Sequence, residues 1–78
     1  MALIRKLNAK QMERNSIHGE IGATYTVFET DGRAFVQIDT YGSDDRQMPG
    51  KKSQTLQLDE SAGRQLVQIL RDAFRIRD

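Results

Sequence analysis

Asp31-Gly32 stands between two runs that alternate apolar and polar residues, and no other dipeptide constrains the folding of this chain as tightly. A two-residue type I′ hairpin needs positive φ at both central positions, which Asp-Gly supplies with little strain. Upstream, Ile17, Ile21, Ala23, Tyr25 and Val27 alternate with His18, Glu20, Thr24 and Thr26. That period of two predicts a half-buried strand, either one curved strand over 17–30 or two short ones, with Gly19 and Gly22 marking bulges or bends. Downstream, Arg33 to Tyr41 sorts Ala34, Val36, Ile38 and Thr40 onto one side, read as core, and Arg33, Phe35, Gln37, Asp39 and Tyr41 onto the other.

A turn-rich stretch from Gly42 to Gly50 follows, holding Asp44, Asp45, Arg46 and Pro49, the one proline. Lys51 to Leu58 then predicts a further strand, with Gln54, Leu56 and Leu58 facing one way and Ser53, Thr55 and Gln57 the other. Asp59 is placed to cap a helix that runs to about Arg75, with Glu60 in its first turn where the helix dipole favours negative charge. Ala62, Leu66, Ile69, Leu70, Ala73 and Phe74 form one apolar stripe along it. Gly63 weakens its first turn by about 1 kcal/mol relative to alanine, a cost that suits only a close packing contact. The expected fold is α+β, a curved antiparallel sheet of three to four strands followed by one C-terminal helix. Residues 1–15 are expected to be a basic arm, with Arg5, Lys6, Lys10 and Arg14 against Glu13, and 16–78 a single domain.

With 78 residues, 37% of them hydrophobic, the chain can build only one thin core. Chains of this size usually gain stability from disulfides, a metal or a partner subunit. There is no cysteine and one histidine, so a homodimer is expected. No run of 18 apolar residues and no signal-peptide pattern is present, which predicts a cytoplasmic protein without membrane contact. Twelve Lys and Arg against eleven Asp and Glu give a net charge of +1, so nucleic-acid binding would have to come from where the charges are placed.

The sequence offers no catalytic constellation. Glu20, Asp39, Asp44 and Asp45 lack the repeated ligand spacing of a metal site, and Asp44-Asp45 reads as a solvated turn, so neither metal nor cofactor is expected. His18 has no nucleophile in a suggestive context, and no phosphate-cradling glycine loop occurs. A nuclease core would place an acidic residue two before a strand lysine, but Pro49 and Gly50 precede Lys51 and Lys52 at that spacing.

The informative feature is the outer face of the 33–41 strand. Arg33, Phe35, Gln37 and Tyr41 point together away from the core, with Arg46, Lys51 and Lys52 at the margin. Unpaired bases stack on such aromatics for ~1–3 kcal/mol each, while lysine and arginine follow phosphates and glutamine reaches base edges. These seven residues are the candidate nucleic-acid-binding set. A second use of the face stays open: Phe35 and Tyr41 could pack under the N-terminal arm, against a second subunit, or against a partner in a larger DNA-processing or defence complex.

Val36-Gln37-Ile38-Asp39-Thr40-Tyr41, the acidic loop, Met48-Pro49-Gly50-Lys51-Lys52, Leu56-Gln57-Leu58 and a helix containing Gln65-Leu66 together resemble a known family. It is the single-stranded-DNA-binding domain of the eukaryotic transcriptional positive coactivator and its bacterial relatives, a Whirly-like fold. The resemblance covers about residues 24–74. It implies a curved antiparallel sheet backed by one helix, subunits paired through helices and sheet ends, and channels for unpaired DNA. It would give Arg33, Tyr41, Lys51 and Lys52 ligand-contacting positions. Thr30 and Gly42 depart from the family's further aromatics, and Ser53-Gln54 adds two residues ahead of Leu56.

Overall fold

The computed structural model describes residues 1–42 and 52–77. Its elements run β1 (Ala2–Ile4), β2 (Gly22–Thr30), β3 (Arg33–Tyr41), β4 (Lys52–Leu58) and α1 (Glu60–Phe74), an α+β arrangement. The four strands form one sheet in the order β1-β4-β3-β2.

The hairpin turns where Asp-Gly requires. Asp31 and Gly32 take φ values of 55° and 74°, and Thr30 pairs with Arg33, so every later pair of the antiparallel β2–β3 ladder is set, out to Gly22 opposite Tyr41. β2 begins at Gly22 rather than at 17 because β3 has ended at Tyr41. Among the described residues 17–21 has no partner strand, alternation without one has no ladder to join, and Ile17 and Ile21 are exposed.

The sheet is mixed rather than wholly antiparallel. β3 and β4 pair antiparallel, whereas β1 pairs parallel with the far side of β4, Leu3 beside Gln57 and Ile4 beside Leu58. The expected basic arm thus contributes an edge strand, and a segment of three residues is too short for periodicity to reveal. Beyond it, the Gln65 side chain clamps Leu7 in both directions: it accepts from Leu7 N–H at 2.9 Å and donates to Leu7 C=O at 3.1 Å.

Asp59 caps α1, with its Oδ1 accepting from Ala62 N–H at 2.9 Å, and the helix ends at Arg75 in the left-handed conformation. The helix packs on β3 and β4 with Ala34, Val36 and Ile38 on its side of the sheet, but these residues, read as core, line an open groove: Ala34 is exposed and Val36, Ile38 and Thr40 are only half-buried, because the helix does not cover them. Leu58 and Ala62 are the buried apolar residues among those described. Between helix and sheet a groove of about 570 Å³ stays open, lined by Val36, Ile38, Leu58, Leu66, Val67 and Leu70. Tyr25 and Val27 extend this apolar side along β2 at 77% and 64% exposure, and Phe74 lies 70% exposed on the helix. Gly63 borders the groove, and a methyl group there would meet nothing within 4 Å, so no close approach inside the protomer accounts for it. No described helix is long and apolar enough to cross a membrane.

Candidate nucleic-acid interface

The face of the sheet turned away from α1 is set by register. The pairs Gln37↔Gln57 and Asp39↔Thr55 make β4 the neighbour that continues the β3 outer face, and Phe28↔Phe35 continues it onto β2. Of the seven candidate residues, Arg33, Phe35, Gln37, Tyr41 and Lys52 lie on this face or its margin. Arg46 and Lys51 lie outside the described residues.

At the hairpin end, the Phe28 and Phe35 rings stack with centroids 5.4 Å apart and planes inclined by 21°. The Arg33 guanidinium sits 5.0 Å from the Phe35 ring centre, a cation–π contact. Arg33 also approaches Asp59 at 3.9 Å, a long ion pair between an exposed guanidinium and a largely buried carboxylate. Phe28 was not among the candidates, although a two-residue loop at Asp31-Gly32 already pairs position 28 with 35. Phe35 is half-buried, so this end presents a supported aromatic platform in place of an isolated ring.

The middle of the face is a hydrogen-bond network around Asp39, which is 4% exposed although it lies on the open side. Thr55 Oγ1 donates to its Oδ1 at 2.6 Å, and Gln37 Nε2 donates to the same carboxylate at 3.1 and 3.3 Å. Lys52 Nζ lies 3.4 Å from Oδ2, and Gln57 Nε2 donates to Gln37 Oε1 at 2.9 Å. The Thr55 hydrogen bond first, then Gln37 and Lys52, hold the Asp39 carboxyl below its ordinary range against the opposing effect of desolvation. Gln37 is therefore committed to an internal bond, and part of the Lys52 charge is spent on Asp39. Sequence reasoning placed Asp39 on this face without detecting its burial, because the covering side chains come from β4.

At the far end, Tyr41 and Thr24 share a hydroxyl–hydroxyl hydrogen bond of 2.9 Å. Tyr41 lies six residues from Phe35, about 20 Å along an extended strand, so the two rings serve separate positions. The bulge between Thr40 and Tyr41 sets Lys52 opposite Tyr41. Cations and aromatic rings thus occupy both ends of the face, and amides, a hydroxyl and one carboxylate occupy its centre. No group of three acidic or histidine side chains converges among the described residues in a way that could hold a metal. Comparisons of the chain with protein-family models, with characterised proteins and with solved structures found no match.

Proposed function

We propose that this protein is a non-catalytic single-stranded nucleic-acid-binding protein, with DNA as its ligand, that acts as a cytoplasmic homodimer in transcription or DNA metabolism. The observation that carries the reading is the uncovered sheet face, where the Phe28–Phe35 pair under Arg33 and the Tyr41–Lys52 end flank hydrogen-bonding groups. Rings supply stacking planes for bases, and the cations at both ends supply phosphate contacts. The buried Asp39 carboxylate repels phosphate from the centre, which favours a strand that runs its backbone along the margins with bases turned inward. The open apolar groove and the exposed Tyr25, Val27 and Phe74 support the homodimer, since a surface of this kind is costly to leave in water.

Fluorescence anisotropy with oligo-dT and with a duplex of equal length tests the reading. Preference for oligo-dT, with affinity falling steeply as salt rises, is the expected result. Equal affinity for the two would mean general basic binding.

The same apolar side of the molecule favours a second reading, an interaction module or small subunit docked in a DNA-processing or defence complex. Docking through an apolar face would be nearly indifferent to salt, which separates the two.

A further inference from the structure

Between β4 and the edge strand lies a concavity of about 420 Å³, lined by Gln37 and Lys52 of the candidate set together with residues outside it. Gln37, Thr55 and Gln57 form its floor, Lys52 one end, and Ala2 and Leu3 of β1 its rim. Its volume falls within the ~300–1,000 Å³ of small-ligand sites. It exists because β1 joins the sheet parallel to β4, which stands Leu3 beside Gln57 as an apolar wall over a polar floor.

The floor has a direction. The Asp39 carboxylate meets donors from Thr55, Gln37 and Lys52, and an ionised carboxylate only accepts. Gln37 must therefore turn its Nε2 to Asp39 and its Oε1 away. That Oε1 can receive only a donor, so Gln57 must present Nε2 to it, as the 2.9 Å contact has it. The orientation of both amides follows from the carboxylate and not from an arbitrary amide flip. What remains is the Gln57 Oε1, which has no partner among the described residues, and the second Nε2 hydrogen beside it. These are an acceptor and a donor on one carboxamide, oriented by the bond to Gln37 and with Leu3 beside it.

We propose that this concavity receives one unpaired nucleobase, whose ring lies against Leu3 and whose hydrogen-bonding edge meets the Gln57 carboxamide. A planar heterocycle with adjacent donor and acceptor is the ligand class that matches such an amide, in the manner of glutamine contacts to base edges. The inference rests on the single-strand reading above and deepens it by assigning base contact to Gln57, with Gln37 and Asp39 as positioning residues.

The experiment compares oligo-dT with an abasic strand of equal length, for the wild-type chain and for Gln57→Leu, and titrates the wild-type chain with free uridine while the Gln57 side-chain amide is followed by NMR. The wild-type chain should bind oligo-dT more tightly than the abasic strand. Gln57→Leu should lose about tenfold on oligo-dT, since a good bidentate pair discriminates by ~1–3 kcal/mol, with no change on the abasic strand and an unchanged salt slope. Uridine should shift the Gln57 amide resonances. Wild-type affinity of Gln57→Leu for oligo-dT overturns the base site and leaves the single-strand reading standing. If the wild-type chain binds neither strand, that reading falls, and the uridine titration alone decides the site: a shifted amide keeps it and an unmoved one overturns it. The titration decides in the same way should Gln57→Leu fail to fold.

Discussion

Thr55 Oγ1 donates a 2.6 Å hydrogen bond to Asp39 Oδ1 across the β3–β4 ladder, and this bond ties the two central strands together on the face that the helix does not cover. Because it favours the ionised carboxylate, together with Gln37 and Lys52, the Asp39 carboxyl titrates below its ordinary range in the folded protein. A carboxyl whose folded value is depressed adds stability above its unfolded value, and that stability is lost as pH falls through the folded one. The melting temperature should therefore decline as pH is lowered from the ordinary carboxylate range. Thr55→Val should reduce both the plateau and the size of this decline. Superimposable pH–melting curves for the two proteins would show that the Thr55 hydroxyl does not govern Asp39.

The aromatic platform separates stability from binding. Phe35→Ala removes a stacked cross-strand pair, worth ~0.5–1.5 kcal/mol beyond its burial, and a surface for base stacking worth ~1–3 kcal/mol. Tyr41→Ala gives up a hydroxyl bond with Thr24 but no ring partner. Phe35→Ala should lower both melting temperature and oligo-dT affinity, whereas Tyr41→Ala should lower chiefly affinity. Calorimetry and anisotropy on the same two variants check this. Unchanged oligo-dT affinity in the folded fraction of both would remove the rings from the binding face.

Charge at the margins predicts a salt signature. Arg33→Ala and Lys52→Ala should each weaken oligo-dT binding and reduce the magnitude of the salt slope, by about 0.7 for each phosphate of a single strand that the variant leaves unneutralised. Lys52→Ala should have the smaller effect, because part of its charge already faces Asp39 at 3.4 Å. Titrations over a range of salt concentrations measure both slopes, and a double variant with the wild-type slope would place the phosphate-binding charges elsewhere.

The open groove predicts association. Leu70 lines it and is exposed in the protomer, so Leu70→Asp should leave the protomer's own buried residues Leu58 and Ala62 in place while removing the ~1.5–3 kcal/mol gained when a partner buries the side chain. Light scattering should report a dimer for the wild-type chain at micromolar concentration and a monomer for the variant. A cooperatively folded wild-type monomer would refute the homodimer.

Gly63 gives an independent measure of the same surface. A methyl group at this position meets nothing within the protomer, so Gly63→Ala should raise helix stability by about 1 kcal/mol in a monomer. Destabilisation that grows with protein concentration would instead place a second helix against it. Denaturant melts at several concentrations distinguish these outcomes.

Local chemistry determined most of the elements before any tertiary pairing was known. Asp31-Gly32 supplied the two positive φ values and hence the whole β2–β3 register, including the Phe28–Phe35 pair that register arithmetic contains. Asp59 and the apolar stripe defined the helix, because capping and 3.6-residue periodicity depend on neighbours only a few positions away. The outer face of β3 was legible for the same reason, since its side chains alternate along one strand. Tertiary structure decided what joins distant segments. It recruited Ala2–Ile4 as a parallel edge strand, halted β2 at Gly22 where β3 gives out, and buried Asp39 beneath donors from a separate strand, β4. The Gln57–Gln37–Asp39 direction depends on that burial. Those features reside in pairings between segments remote in sequence, and periodicity within one segment carries no information about which partner its hydrogen bonds will find.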